Sequence, residues 1–121
     1  MIRGILIASL LAIGAPAAAQ TVDAGQRLYV QCQACHSIRK GEPHKIGPNL
    51  NGTAGAPAAS RPNYAYSKAL KDATLVWDDA TLDRWLARPS ALVPGNKMVF
   101  AGIADPAKRR ALIAFMRRAG R

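Results

Sequence analysis

The sequence lacks the patterns that build a sheet or a repeat. No segment sustains the alternation of apolar and polar residues that is typical of strands, and no stretch recurs at a regular interval. No long linker divides the chain, so its 121 residues suit a single domain. These absences leave an all-α fold as the expectation.

Acidic and aromatic residues are also scarce. Seven Asp and Glu stand against 17 Lys and Arg, which gives a formal charge of +10. Such a surface attracts anionic partners, but no basic run is interleaved with aromatic residues, and we expect no nucleic acid binding.

Only 6% of the residues are aromatic, and a chain of this length buries a modest fraction of its surface. A bound cofactor is therefore expected to supply much of the core.

An almost entirely apolar stretch stands at the beginning of the chain. It covers residues 4–14, follows the cationic Arg3, and is too short to span a bilayer comfortably. Pro16 closes this stretch, and the three alanines at 17–19 fit the small-residue pattern of a cleavage site.

These features predict a secretory signal peptide over residues 1–19, cleaved near Ala19 or Gln20, and a mature domain over residues 20–121. The mature chain is expected in a bacterial periplasm, without stable membrane insertion after cleavage. An uncleaved membrane anchor is the alternative.

Helices are predicted at both ends of the mature chain. Asp23 can cap a first helix over about 24–33. Asp105 and Pro106 are typical of the start of a last helix, which Gly120 follows.

Long irregular segments with short helices are predicted between them. Residues 41–62 are punctuated by Gly, Pro and Asn and indicate a loop. Helical signals return at 67–71 and again after Asp79, where Pro89 stops the segment. A loop of this length in a compact domain is typical of a segment that wraps a ligand.

Both cysteines of the chain, Cys32 and Cys35, lie within four positions, and His36 follows directly. A disulfide between them would close a very small loop and stabilise little, and a thioredoxin-like dithiol needs a βαβ setting that this sequence lacks. A zinc site would draw on these three residues and His44, but two ligands that are adjacent in sequence fit a tetrahedral site poorly. The Cys-x-x-Cys-His run is typical of covalent haem attachment. We favour haem, with thiol and zinc sites as the alternatives.

Further motifs occur in a fixed order around this run. They are Gly25 and Tyr29, 32–36, 47–50, 64–67, Trp77, 93–103 and 112–115. Together they resemble the class I c-type cytochromes, which are mitochondrial and bacterial periplasmic electron carriers, over nearly the whole mature length. The resemblance implies a small all-α cytochrome c fold, with N- and C-terminal helices packed crosswise and long loops around one covalently bound haem.

The resemblance also implies the cofactor's attachment and ligation. One haem c would be bound through Cys32 and Cys35, with His36 and Met98 as the two axial ligands of the iron. Met98 stands in a segment framed by Pro and Gly and not on an apolar helical stripe, whereas Met116 of the last helix is expected to pack in the core.

Four further residues match cofactor-binding positions of these cytochromes. The backbone carbonyl of Pro48 would accept a hydrogen bond from the ring of His36 and fix its tautomer. Tyr66, Trp77 and Asn96 match residues that hydrogen-bond the haem propionates. Core packing with a satisfied polar tip is the alternative for the two aromatic residues.

The sequence departs from its relatives at several positions. Trp85 stands where many relatives have a tyrosine that donates to the methionine sulfur, and Ala56 where mitochondrial relatives have an arginine near a propionate. Lys45 and Lys97 remain from the ring of lysines around the exposed haem edge. Other mitochondrial lysine positions are occupied by Ser90, Ala104 and Asp105.

The implied function is that of a monomeric, monohaem electron carrier and not an enzyme, because two occupied axial positions leave no open site for a substrate. The expected partners are redox proteins with acidic docking surfaces: an oxidase, a quinol:cytochrome c oxidoreductase or a periplasmic dehydrogenase. A dedicated subunit of one dehydrogenase is the second hypothesis. A ligand-binding or peroxidatic haem protein with Met98 displaced is the third.

Overall fold

The computed structural model describes residues 23–121, and the predicted signal peptide and its cleavage site lie outside the described residues. The helices in this range are α1 (Ala24–Gln33), α2 (Lys68–Asp72), α3 (Asp79–Ala87), α4 (Pro89–Leu92) and α5 (Pro106–Ala119). The β pairing within residues 23–121 is one isolated antiparallel bridge between Pro57 and Val76. No helix in the described range has the length and apolarity needed to cross a membrane. The prediction of an all-α fold is confirmed.

Four of the helices begin where a short polar side chain accepts a hydrogen bond from a backbone N–H of the first turn. These capping residues are Asp23, Ser67, Asp78 and Asp105. Such caps satisfy N–H groups that have no partner within the helix. The predicted bounds of the first and last helices agree with the structure because these local signals are strong.

The remaining helix, α4, was not predicted from the sequence. Pro89 was expected only to stop the preceding segment, and α3 does end at Ala87. Pro89 also begins α4, where its missing N–H costs no hydrogen bond. Its carbonyl oxygen accepts the N–H of Val93 at 2.9 Å, which closes the single turn.

Helices α1 and α5 pack closely at Gly25. A Cβ atom at this position would overlap the backbone carbonyl of Ala111 and would lie 2.6 Å from the Cβ of Phe115. The ring centroids of Tyr29 and Phe115 lie 5.2 Å apart, and Leu112 is fully buried. The absence of a side chain at residue 25 therefore sets how closely the two helices approach.

A buried arginine joins α5 to α3 and to the loop between α4 and α5. The Arg109 side chain donates to the Asp83 carboxylate at 2.7 Å and to the carbonyls of Ile103 and Ala104 at 2.9 and 2.8 Å. Leu82 on α3 is also buried in the core. Helices α1, α3, α4 and α5 thus form one packed unit, and the loops between α1 and α2 and between α4 and α5 enclose a cavity beside it.

Candidate functional site

A cavity of about 460 Å³ lies between the helices and these two loops. Its volume falls within the range of cofactor and small-molecule sites. All eight residues that the sequence indicated for cofactor binding line this one cavity. They are Cys32, Cys35, His36, Pro48, Tyr66, Trp77, Asn96 and Met98.

The two cysteines lie at the end of α1, where the chain turns into the cavity wall. The backbone N–H groups of Cys35 and His36 both donate to the carbonyl of Cys32, at 3.0 and 2.9 Å. The two thiols are not joined in a disulfide. Burial, and then the neighbouring Cys35, raise the pKa of the Cys32 thiol to about 11. The Cys32 thiol is therefore protonated at neutral pH. Both cysteine side chains line the cavity.

The ring of His36 is held in one orientation. Its Nδ1 lies 2.7 Å from the carbonyl oxygen of Pro48, and since a carbonyl can only accept, Nδ1 carries the proton and Nε2 keeps its lone pair. Burial lowers the pKa of His36 despite this bond, which favours the neutral ring. A Cβ on Gly47 would lie only 2.6 Å from Nδ1, and the Tyr29 hydroxyl donates to the His36 carbonyl at 3.1 Å. The ring is thus confined to the orientation that a metal ligand requires.

Met98 lies in the loop between α4 and α5, which is shaped by its own side chains. The Asn96 Oδ1 atom accepts the N–H of Met98 at 2.9 Å, and its Nδ2 donates to the carbonyl of Val93 at 2.8 Å. At Gly102 a Cβ would overlap the carbonyl of Ala87, so the loop packs directly against the end of α3. Asn96 therefore fixes the backbone around Met98, and its predicted hydrogen bond to a propionate stays a prediction.

The aromatic residues present unused hydrogen-bond donors. Trp77 and Trp85 are buried with ring centroids 5.1 Å apart, and neither indole N–H has an acceptor within residues 23–121. The hydroxyl oxygen of Tyr66 accepts the backbone N–H of Arg61 at 3.2 Å and keeps its own proton to donate. All three side chains line the cavity, so their donors are available to a polar group bound there.

One edge of the cavity is apolar and open. Ile46 and Val99 both line the cavity, and they are 81% and 102% exposed. Lys97 lies beside them, with its Nζ 4.9 Å from the centroid of the Tyr64 ring and hydrogen-bonded to the carbonyl of Ala65. We call Ile46 and Val99 the apolar edge.

The residues of this cavity fit a haem. Two thiols at the correct spacing, a histidine with a free Nε2, and unused indole and phenol donors share one largely apolar enclosure whose described lining holds no carboxylate. A zinc site fits less well, because no group of three or more His, Cys, Asp or Glu side chains converges within residues 23–121.

The sequence matches the family model for cytochrome c over residues 22–120. This chain belongs to the cytochrome c family. A cytochrome c2 of Rhodomicrobium vannielii is 44% identical over 92 residues, which cover 76% of this chain and 74% of the relative. A cytochrome c of Chlamydomonas reinhardtii is 42% identical over 106 residues, covering 87% and 95%. The solved structure of cytochrome cH from Methylobacterium extorquens superposes with a TM-score of 0.74 at 45% identity, covering 78% of this chain and 95% of the other.

Family membership confirms the resemblance and the fold predicted from the sequence. Cytochromes c bind haem c covalently and carry electrons, and they are not enzymes. This cytochrome c is therefore a haem-binding electron-transfer protein, with Cys32 and Cys35 at the spacing of the attachment motif.

Sequence reasoning missed three features of the site. Gly47 was part of a quoted motif, but its contact with His36 depends on how the loop folds back. Met116 was expected in the core, and it is buried there while also lining the cavity. Arg61 was not singled out, because it stands in a loop without periodicity and only the fold brings it to the cavity.

Proposed function

We propose that this cytochrome c is an exported, periplasmic one-electron carrier with a single haem c held through Cys32 and Cys35. His36 and Met98 would hold the iron from its two sides, and Pro48, Tyr66, Trp77 and Asn96 would support the cofactor. The carrier is a monomer that docks with redox proteins through acidic surfaces on the partner.

One observation carries the ligand assignment. His36 and Met98 are far apart in the sequence, yet both line the same cavity, and each is held by a separate hydrogen bond. The Pro48 carbonyl orients the imidazole, and the Asn96 side chain holds the backbone of Met98. A nitrogen ligand and a thioether ligand thereby line one largely apolar cavity, which supports their binding the same metal ion.

The bound haem supplies a one-electron couple, and the chain sets its properties. A thioether favours the ferrous state over the ferric state, so Met98 raises the reduction potential. His36 supplies a neutral nitrogen whose basicity is increased by the bond from its other ring nitrogen to Pro48. With His36 and Met98 both holding the iron, the haem would be able to gain and lose an electron without a change of ligands, which suits a carrier.

The location and partners are supported by other features. The cationic start, the apolar stretch at 4–14 and the alanines at 17–19 are typical of a bacterial signal peptide. Cleavage would remove Arg3 and lower the formal charge from +10 to +9. This charge still attracts acidic partners, and the attraction is strongest at low salt. An oxidase, a quinol:cytochrome c oxidoreductase and a periplasmic dehydrogenase are the candidate partners.

Replacement of Met98 by Ala tests the ligand assignment. The ferric holoprotein, isolated from a periplasmic extract of cells that express the full chain, is expected to lose the thioether-to-iron charge-transfer band. Its reduction potential should fall, and carbon monoxide should bind the ferrous form readily, because one axial position is open. Spectroelectrochemistry and ligand titration measure these changes.

Met116→Ala is the matched control, since it removes a buried thioether that lines the same cavity. This variant should lose about 2–5 kcal/mol of unfolding free energy and keep the charge-transfer band. A Met98→Ala protein with the native band and potential would refute the axial assignment. Recovery of the uncleaved chain in the cytoplasm alone would refute export.

A further inference from the structure

We propose that Arg61 binds a propionate carboxylate of the haem from within the cavity. The inference rests on one part of the proposed function, the placement of the haem in this cavity. It assigns to Arg61 a cofactor-binding role, through charge and hydrogen bonding, that the sequence did not indicate.

The position of the Arg61 side chain is the first argument. Arg61 is half-buried and lines the cavity. Its Nη1 atom would lie 3.3 Å from a Cβ built on Gly52, so the guanidinium reaches back across the loop. Burial raises the pKa of Tyr66, and the backbone N–H of Arg61 and then the charge of its side chain oppose this rise, so the cation stands close to the Tyr66 hydroxyl. Arg61 and Tyr66 therefore present donors to the same part of the cavity.

The lack of a partner is the second argument. The ion pairs within residues 23–121 involve Arg109, Arg117, Arg118 and Lys68, and the guanidinium of Arg61 has no hydrogen bond or ion pair in this range. A charged group removed from water without a partner is unfavourable. The described residues that line the cavity include no Asp or Glu that could pair with it. A carboxylate of the cofactor would satisfy the guanidinium, which suits planar carboxylates.

The only other charged residue of the described lining is Lys97, and its surroundings differ. Lys97 is exposed, its Nζ donates to the carbonyl of Ala65, and it lies over the ring of Tyr64. Its charge is thus already solvated and hydrogen-bonded. Between the two cations, Arg61 is the one whose surroundings leave room for an anionic ligand.

The backbone around Arg61 gives a third, independent argument. Ala59 and Asn63 flank it with φ values of 57° and 60°, in the left-handed region that residues with side chains rarely adopt. The Ser60 hydroxyl donates to the Pro57 carbonyl at 2.6 Å and closes the turn before it. Backbone strain persists where surrounding contacts impose it, commonly at ligand-binding segments. This turn carries Arg61, whose side chain lines the cavity.

The test measures how the reduction potential of the holoprotein depends on pH. A propionate paired with Arg61 has its pKa held low, so it ionises below the working pH range. In Arg61→Gln the pH-dependent step of the potential should move upward by about one pH unit or more, and the potential at neutral pH should fall because a cation near the iron favours the reduced state. Arg61→Lys keeps the charge and should shift the step less. The other titratable groups lining the cavity are unchanged in these variants; they are Cys32, Cys35, His36, Tyr64, Tyr66 and Lys97.

Arg110→Gln is the control, since it removes one positive charge from an exposed position on α5 outside the cavity lining. An Arg61→Gln protein whose step coincides with that of Arg110→Gln and of the native protein would overturn the assignment of Arg61. That result would leave the ligand assignment intact, provided the charge-transfer band of Met98 ligation is present. A native protein without covalent haem would overturn both proposals.

Discussion

Two regions of the molecule are stabilised by different kinds of contact. One is the helix pair α1 and α5, and the other is the set of loops that enclose the cavity. The helix pair relies on close packing, in which Gly25 lies against the backbone of α5 and Leu112 is fully buried. The loops rely on side chains that hydrogen-bond to backbone groups. Asn49 is the main example: its Nδ2 donates to the carbonyls of Arg39 and Glu42 at 2.8 and 2.9 Å.

This difference separates stability from chemistry. The helix pair packs on itself and on α3, so it resists change through the volume of its side chains. The loops carry His36 and Met98. The carbonyl of Pro48 holds the ring of His36, and the side chain of Asn96 holds the backbone of Met98. A substitution in the helix pair should therefore change the free energy of unfolding, and one in the loops should change the surroundings of the haem.

Of the substitutions Gly25→Ala, Gly47→Ala and Asp78→Asn, the first should give the largest loss of stability. The added Cβ overlaps the Ala111 carbonyl, and a backbone atom cannot rotate away, so we expect overpacking at the high end of the usual 1–3 kcal/mol. The gain in helix propensity offsets roughly 1 kcal/mol, which leaves a net loss of about 2 kcal/mol. Equilibrium unfolding in urea measures it, with Gln26→Ala as the control on an exposed position of α1. Comparable stability of the two variants would contradict close packing at Gly25.

Gly47→Ala should act mainly on the site. The added methyl group meets the His36 ring, which the Pro48 carbonyl prevents from turning aside. We expect a loss of about 1–2 kcal/mol and a changed haem spectrum. Lys40→Ala, an exposed change in the same loop, should leave both unaltered. A native spectrum in Gly47→Ala would mean that the ring moves without affecting its ligand role.

Asp78→Asn should have the smallest effect, visible only in acid. Hydrogen bonds from Thr81, chiefly from its backbone N–H, hold the pKa of the Asp78 carboxyl below its ordinary value of 3.8. A carboxyl with a lowered folded-state pKa stabilises the fold above 3.8, and this contribution is lost as the pH falls through the folded-state value. Asparagine also caps helices but does not titrate, so the variant should match the native protein at neutral pH and lose less stability in acid.

Unfolding curves on either side of pH 3.8 measure this difference. Asp72→Asn is the control, because it removes an exposed carboxylate at the C-terminal end of α2. If the two variants respond to acid alike, the cap at Asp78 contributes no pH dependence.

The helix pair was predictable because its signals are local. Asp23, Asp105 and Pro106 mark helix starts within a few residues, and the structure begins α1 and α5 where they indicate. The one missed helix, α4, is a single turn whose Pro89 has two roles at once. Local rules assign one role to a residue. The second role of Pro89, as the start of α4, depends on the hydrogen bond that its carbonyl accepts from the N–H of Val93.

The cavity was predictable only through family resemblance and motif spacing. A shared site for Cys32, Cys35 and His36 was predictable, because these residues are consecutive or nearly so. The position of Arg61 at the cavity was not predictable, because it depends on a turn with left-handed residues on both sides. Long-range contacts of this kind have no signature in a single sequence.

The apolar edge has a consequence for how long an encounter lasts. A partner that covers Ile46 and Val99 gains roughly 1.5–3 kcal/mol for each side chain that it fully buries. Association itself costs about 4–15 kcal/mol in lost freedom of motion. Burial of both side chains, about 3–6 kcal/mol in total, offsets at most the low end of that cost, so this edge alone gives a weak and short-lived contact. A short residence time suits a protein that must leave each partner before it can reach the next.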